Sequence, residues 1–493
     1  MAQGEEICCV YEGSQIKTTT NAQGTFVTVV NGTSFAAPQV SGAVALLAQA
    51  FPNLTGTQIV DLLLRTARDA GAAGTDAIYG RGILDIARAF SPQGSTGLAG
   101  TQVAVSLDDL SGTTSGAMGD ALTGASLGTV MLDSYGRAYS LDLAMGLRVS
   151  RQRLPLYEAL AGGQRPVTIG APGVSMAFSV DRRFGVVPLR LAAGEGERAR
   201  VLATSAVTRL GRSLDLAVGW RVAADNLVSQ LQGRENLPFV VAGMNDGVLA
   251  RPETALATRY RLDGLGLGSM GLTMSGERSV LLRNDPLRER RTDWMRRVGV
   301  MIDGGAQRAF GWRFGLDLMR EGNTVLGARF AEALGGGGAT TATVSSAIDW
   351  RPSRNFSIGV SGNLGLSRVD TGGVLLSGSR LVSSSWSFDV SHRDVFRGGD
   401  RLAFRLAQPM RIEKGGLQLN LPVVWDYHTQ HAEFSRTTLS LAPKGRELDA
   451  ELAWATALWD GDASASVFFR KEPGHFAGAA DDGGFAVRWS RGF

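Results

Sequence analysis

The sequence predicts two unlike parts, an α/β segment over about the first 92 residues and then an all-β region with the pattern of an antiparallel β-barrel. Three observations carry this prediction. Apolar residues follow helical spacing between Ser34 and Phe90. From about residue 129 the period switches to two and holds to the end. The stretch between them is rich in Gly, Ser, Thr and Ala. At 493 residues the chain exceeds one ordinary core. The expected boundaries are 1–94 for the α/β segment, 95–128 for a linker and 129–493 for the β-rich domain.

Residues 5–30 hold two β-type runs, "ICCVYEG" and "TFVTVV", split by the turn-rich "TTTNAQG". "SFAAPQVSGAVALLAQAF" follows, apolar nearly all round, which predicts a buried helix. Pro38 falls in its first turns, where proline is tolerated, and Pro52 ends it. The next helix opens at "TGTQ" with Thr55 or Thr57 as N-cap. Its spacing puts Ile59, Leu62, Leu63 and Thr66 on one face and Asp61, Arg65 and Arg68 outside. A Gly/Ala loop then leads to "YGRGILDIARAF", a glycine turn and a short helix.

The stretch over 95–128 reads as a linker with a short helical patch near Ala117 to Leu122. Beyond it the alternation is sustained. Leu214, Leu216, Val218, Trp220 and Val222 interleave with Ser213, Asp215, Ala217, Gly219 and Arg221. Leu316 and Leu318 interleave with Asp317 and Met319, and Leu448, Ala450, Leu452 and Trp454 with Glu447, Asp449, Glu451 and Ala453. Such runs predict about a dozen or more strands, each with one bulky apolar face and one small or charged face. A barrel of the outer-membrane type needs that alternation, apolar toward lipid and polar toward the lumen. At the C-terminus, "FAVRWSRGF" sets Phe485, Val487 and Trp489 on one face with Phe493 in register. A soluble β-sandwich would show the same pattern with the bulky face turned to its own core, and seven tyrosines are few for two aromatic girdles.

Composition narrows the function classes. Lys and Arg number 50 against 46 Asp and Glu, spread along the chain with no basic block, so no nucleic-acid partner is expected. Glycine, at 65 residues, has roughly twice its usual share, which suits tight turns and small-residue strand faces. The two cysteines, Cys8 and Cys9, are adjacent and read as small buried apolar residues. "MAQGEEICCV" lacks the basic and then apolar form of an export signal, and no run reaches the ~18 apolar residues of a spanning helix. Any membrane crossing would therefore use strands. His428 and His431 form an HxxH in "DYHTQHAEF" that reads as solvated turn residues. No metal or other cofactor is expected.

"NGTSFAAPQVSG", residues 31–42, is the candidate site. A serine opening a helix is by itself an N-cap. Here Gly32 permits a sharp entry, the positive helix end favours developing negative charge at Ser34, and Ala36 and Ala37 let another chain approach closely. With the second helix and "YGRGILDIARA" following, residues 5–92 resemble the serine-bearing end of the subtilisin-like serine peptidases, the subtilases. That resemblance implies that Ser34 is the nucleophile and that its backbone N–H is one oxyanion donor. It also implies that Asn31, Gly32 and Thr33 shape the presenting turn, with Ala37 and Pro38 completing the motif. Ser34 Oγ would attack a peptide carbonyl after an imidazole takes its proton, giving an acyl-enzyme.

The sequence departs from that family in what precedes the serine. The triad order of subtilases is Asp, His, Ser, yet residues 1–33 hold no histidine and no aspartate, only Glu5, Glu6 and Glu12. No asparagine there stands in a matching oxyanion motif, and "YEG", Tyr11 to Gly13, replaces the usual Ala-Pro-Gly. His392, His428, His431 and His475 all lie in the β-rich region. The second half, with "VMLDSYGRAYSLDL" at its start, resembles bacterial autotransporters, in which a C-terminal barrel anchors or exports an N-terminal protease. The joint expectation is a serine-type endopeptidase of the bacterial surface, acting on polypeptide substrates, placed at the outer membrane or outside the cell, and inactive as this chain alone. The alternative is a non-catalytic structural β-domain of the outer membrane or surface.

Overall fold

The computed structural model describes residues 16–19, 27–30, 33–106, 112–148, 164–171, 174–181, 201–232, 237, 239, 241–242, 250–262, 268–279, 293–305, 309–459 and 461–491. Cys8, Cys9 and Phe493 lie outside them. Two short strands, β1 (Ile16–Thr19) and β2 (Val27–Val30), pair antiparallel and precede three helices, α1 (Thr33–Ala50), α2 (Gly56–Thr66) and α3 (Ile86–Phe90). A capping box starts α2: Thr55 Oγ1 accepts the Gln58 N–H at 3.3 Å, and Gln58 Oε1 accepts the Thr55 N–H at 2.9 Å. Thr55, not Thr57, is therefore the cap. Ile59, Leu62, Leu63 and Thr66 are buried, as their spacing predicts.

α1 differs from expectation. Ala36, Ala43 and Leu47 are buried, but Ala37, Pro38 and Ser41 are exposed and Leu46 is 50% exposed. Its apolar surface is wider than its cover, because only one side of the helix meets Phe51, Leu62, Leu63 and Ala89. Tyr139 and Tyr427 also pack against that cluster.

The described residues of the stretch expected to be a linker form short paired strands and buried turns. β3 (Gly97–Leu98) pairs with β5 (Gly128–Leu132), which pairs with β6 (Ala138–Asp142), while β4 (Gly112–Thr113) runs parallel to β7 (Leu147–Arg148). Leu98, Ala99, Val105, Ala117 and Met118 are buried. Its small residues serve close packing here: a Cβ on Gly112 would lie 2.9 Å from the Arg329 carbonyl oxygen. The chain accordingly divides elsewhere than at 94 and 129. One compact unit comprises Met1–Asp109, Leu127–Leu143 and Asn420–Arg436, and the other comprises Leu110–Ser126, Ala144–Leu419 and Thr437–Phe493.

Among the described residues, the second unit holds most of a 16-stranded antiparallel sheet. Its strands are β8 (Gln164–Ala171), β9 (Val174–Asp181), β10 (Val201–Arg209), β11 (Leu214–Trp220), β12 (Ala250–Arg261), β13 (Ser269–Ser279), β14 (Trp294–Gly304), β15 (Phe310–Glu321), β16 (Ala339–Trp350), β17 (Phe356–Val369), β18 (Arg380–Arg393), β19 (Arg401–Asp426), β20 (His431–Ser440), β21 (Leu448–Leu458), β22 (Gly461–Lys471) and β23 (Asp482–Arg491). Each pairs with its sequence neighbours, except that β19 pairs with both β20 and β21.

Register fixes which face is which. Leu316 stands opposite Val300 and Val344, and Asp317 opposite Gly299 and Thr343. On the bulky face Leu316 and Leu318 are 55% exposed and Leu364 is 57% exposed. On the other face Thr341, Ser367 and Ser387 are buried, with Thr341 hydrogen-bonded to Ser367 at 2.8 Å and Ser361 to Ser387 at 2.8 Å. A soluble sandwich would bury the bulky side, so the sheet is inside-out with respect to one.

The two ends of the sheet also differ. Residues 351–355 and 394–400 close hairpins at one end, whereas the other end carries 322–338 and 370–379 and the described residues between β11 and β12. Within 221–249 a fourth helix, α4 (Ala224–Leu231), lies on the small-residue face. Leu227, Val228 and Leu231 pack on Ala217, Ala255 and Ala257, and a Cβ on Gly219 would sit 3.2 Å from Leu227. Arg259 Nη1 donates to the Leu231 carbonyl at 2.7 Å. Farther along, the Val241 and Ala242 N–H groups donate to the Glu451 carboxylate on β21 at 2.8 and 2.9 Å. This one connection therefore touches β11 and β12 at one side of the sheet order and β21 near the other.

Candidate active site

Ser34 is the second residue of α1 and is exposed. The first N–H groups of a helix have no intrahelical acceptor, so the Ser34 N–H is free of the helical ladder. Four residues on, Pro38 has no N–H to return to the Ser34 carbonyl, and its ring crowds that oxygen. The first turn is thus held open on both polar groups of the serine backbone. Ala37 and Pro38 are exposed beside it, Thr33 begins the helix, and Asn31 and Gly32 lie outside the described residues.

No described histidine joins Ser34 from within its unit. His428 sits in the turn between β19 and β20, where its backbone N–H donates to Asp426 Oδ1 at 2.8 Å. It lines a cleft of about 540 Å³ with Pro52, Trp425, Asp426 and Tyr427. Pro52 follows the C-terminus of α1, so that cleft is at the far end of an 18-residue helix, roughly 27 Å long, from Ser34. His431 is exposed at the start of β20. His475, in the second unit, is buried and engaged at both ring nitrogens. Among the described residues no three His, Cys, Asp or Glu side chains group as metal ligands.

The structure also contains polar groups that the sequence pattern did not single out. Arg137, fully buried, is paired with Asp133 at 2.7 Å and donates to the carbonyls of Ala89 at 2.6 Å and Ser91 at 3.0 Å. It thus caps the C-terminal end of α3 from the β5–β6 turn, within "VMLDSYGRAYSLDL". Its guanidinium carbon lies 4.9 Å from the centre of the Phe51 ring. Tyr135 donates to Asp61 at 2.7 Å, and Arg65 does so at 2.9 Å. The Tyr135 hydrogen bond, with Arg65 assisting against desolvation, holds the Asp61 carboxyl below its ordinary range. The signal available in the sequence was the Asp-x-x-x-Arg spacing around Gly136, whose φ of 69° turns the hairpin.

Residues 1–82 match the Subtilase family model (Peptidase_S8). The N-terminal segment is thus subtilase-like, joined in the same chain to a large antiparallel sheet. The serotype-specific antigen 1 of Mannheimia haemolytica is 43% identical over 65 residues, 13% of this chain and 7% of that protein. The autotransporter lipoprotein NalP of Neisseria meningitidis serogroup B is 44% identical over 62 residues, 13% of this chain and 6% of that protein. The extracellular serine protease of Serratia marcescens is 41% identical over 61 residues, 12% and 6% of the two chains. The aligned part therefore spans less than a tenth of each relative. Among solved structures, outer-membrane expressed OmpT of Vibrio cholerae aligns with 56% of this chain and 77% of its own at 7% identity. Its TM-score of 0.27 is too low to bear on the fold.

Proposed function

We propose that the chain belongs to a subtilisin-like serine endopeptidase of the bacterial surface, with Ser34 as its nucleophile and the large sheet as its outer-membrane anchor or translocator. The carrying observation is the exposed Ser34 at the opened N-terminal turn of α1, inside the segment that matches the Subtilase family model. Its unladdered N–H suits an oxyanion donor, and the helix end favours the negative charge that develops there. Attack by Oγ on a peptide carbonyl, with its proton passed through the base to the amine that leaves as the C–N bond breaks, would form the acyl-enzyme, which water then hydrolyses. The substrates are polypeptides.

No described imidazole reaches Ser34 from its own unit, which supports the reading that this chain by itself is inactive. The reading requires a general base and an orienting aspartate, and residues 1–33 hold neither a histidine nor an aspartate. Translation of the DNA in frame before the Met1 codon should give Asp-Ser/Thr-Gly and His-Gly-Thr motifs. That longer protein should react with a fluorophosphonate probe at Ser34, while the 493-residue chain should not. Labelling that survives Ser34→Ala in the longer protein would remove Ser34 from the role. Labelling of the shorter chain would remove the need for outside partners.

Three features support the anchor reading: the exposed bulky face, short hairpins at one end against long connections at the other, and aromatic residues at strand ends. Trp220 and Trp294 stand at the long-connection end, and Tyr260, Phe310, Trp350 and Trp489 at the short-hairpin end. Tryptophan and phenylalanine thus supply the girdles for which tyrosine is scarce. The described pairings leave β8 and β23 as edges running in the same direction, so antiparallel closure takes one strand more than the path from β8 to β23 contains.

A further inference from the structure

We propose that a cavity on the inner face of the large sheet binds a soluble, phosphate-class anion. The cavity measures about 700 Å³, within the range of small-molecule sites, and lies where the β14–β15, β16–β17 and β18–β19 hairpins gather at the short-turn end. Six guanidinium groups line it: Arg313, Arg351, Arg354, Arg393, Arg401 and Arg405. Two carboxylates line it as well, Asp349 and Asp389. Asp389 is already gripped by Arg405 through two parallel contacts, Nε to Oδ1 at 2.5 Å and Nη2 to Oδ2 at 2.9 Å. Asp225 and Asp303 add their charges toward Arg313 from α4 and β14. Among the described residues, six cations thus face four anions.

The remaining lining is rich in donors. Guanidinium groups donate only, and the Asn226 side chain of α4 and the Asn355 side chain of the β16–β17 hairpin add further N–H groups. A cavity with this surplus of donors is matched by a ligand made mostly of acceptors. The arginines come from separate hairpins and so approach from several directions, which suits a tetrahedral oxyanion better than a planar carboxylate. Phe239 closes one side, held with Arg405 stacked 4.5 Å from its ring centre. A soluble ligand follows from the location, because the cavity opens on the small, polar face of the sheet and not on the bulky apolar one.

The test uses the full chain refolded in detergent and titrated with sodium pyrophosphate by calorimetry at low salt. Saturable binding that weakens as sodium chloride is added is expected. Arg313→Gln and Arg354→Gln should each lower the affinity at least about tenfold, the loss expected for a charge-assisted hydrogen bond. Arg436→Gln, outside the cavity, should leave it unchanged. Arg354 lies in an exposed hairpin turn, so its variant tests the site even if Arg313→Gln does not refold. The proposal is overturned by absence of saturable heat up to about 5 mM, a strength at which a built site would show. It is also overturned if Arg354→Gln binds like the parent. Binding of poly-glutamate without pyrophosphate would overturn it too and give the cavity to an acidic peptide. None of these results depends on Ser34 or on the protease reading.

Discussion

A buried ion pair is costly unless every polar atom is met, and Arg137 with Asp133 shows how this chain meets that demand. The guanidinium spends its donors on Asp133 and on the Ala89 and Ser91 carbonyls, while the carboxylate accepts the Tyr135, Arg137 and Gln93 N–H groups. Arg137→Met strips Asp133 of its counter-charge and should cost about 3–5 kcal/mol, read as a lowered urea midpoint for proteolytic cleavage within residues 33–106. Asp133→Leu with Arg137→Met should cost less than Arg137→Met alone, since no charge is then left buried and unpaired. His475 is the second case. Burial lowers its pKa, reinforced by Arg411 and Arg446 and opposed by Glu447. Nδ1 accepts the Glu447 N–H at 2.9 Å, which leaves Nε2 to donate to the Met410 carbonyl at 3.0 Å. The folded chain then resists a proton that the unfolded chain accepts, so stability is full above about pH 6.5 and falls as pH drops below it. Urea midpoints between pH 7.5 and 5.5, about one unit either side of the free imidazole value, should decline in the parent and stay flatter in His475→Gln. The Asp-x-x-x-Arg spacing marked the Asp133–Arg137 pair but not its carbonyl acceptors, which lie 46 and 48 residues away, and His475 had no motif around it. The Ser34 motif was legible, because its spacing is local to one turn and one helix.

At the scale of elements, α2 and the strand faces followed from spacing, since a periodic apolar set has one way to be buried. α1 and α4 did not. The composition of α1 is apolar all round, but composition does not reveal how much of its circumference neighbours cover; Leu46 stays half exposed. α4 is short and set among strands, so its pattern was lost in a region of period two. Packing explains it better: strands that present Ala217, Ala255, Ala257 and Gly219 leave a shallow bed, and Leu227 fills it with no exposed surface. Leu227→Ala should cost α4 about 2–5 kcal/mol of local stability. Deuterium uptake over 224–231 should rise sharply while the amides of β12 and β13 stay protected; unchanged uptake would mean that α4 is held by its polar contacts alone.

For the whole molecule, the alternation was legible from residue 129 onward, but the direction of its faces was not. Both a sandwich and a barrel satisfy a period of two. Exposure distinguishes the faces: the bulky rows through Leu316, Leu318 and Leu364 are exposed and the Ser/Thr rows buried, the reverse of a sandwich. Linker composition misled for a related reason, because glycine and alanine serve close packing as readily as flexibility. The central claim is that the bulky face of this sheet meets lipid, and a nitroxide scan in vesicles tests it most directly. In a Cys8→Ser, Cys9→Ser background, labels would be placed through Leu316→Cys on the outer face and Thr343→Cys on the inner. The account predicts that the 316 label collides freely with oxygen and hardly with a water-soluble nickel chelate, and that the 343 label does not share this preference. Free access of the chelate to position 316 would contradict the account.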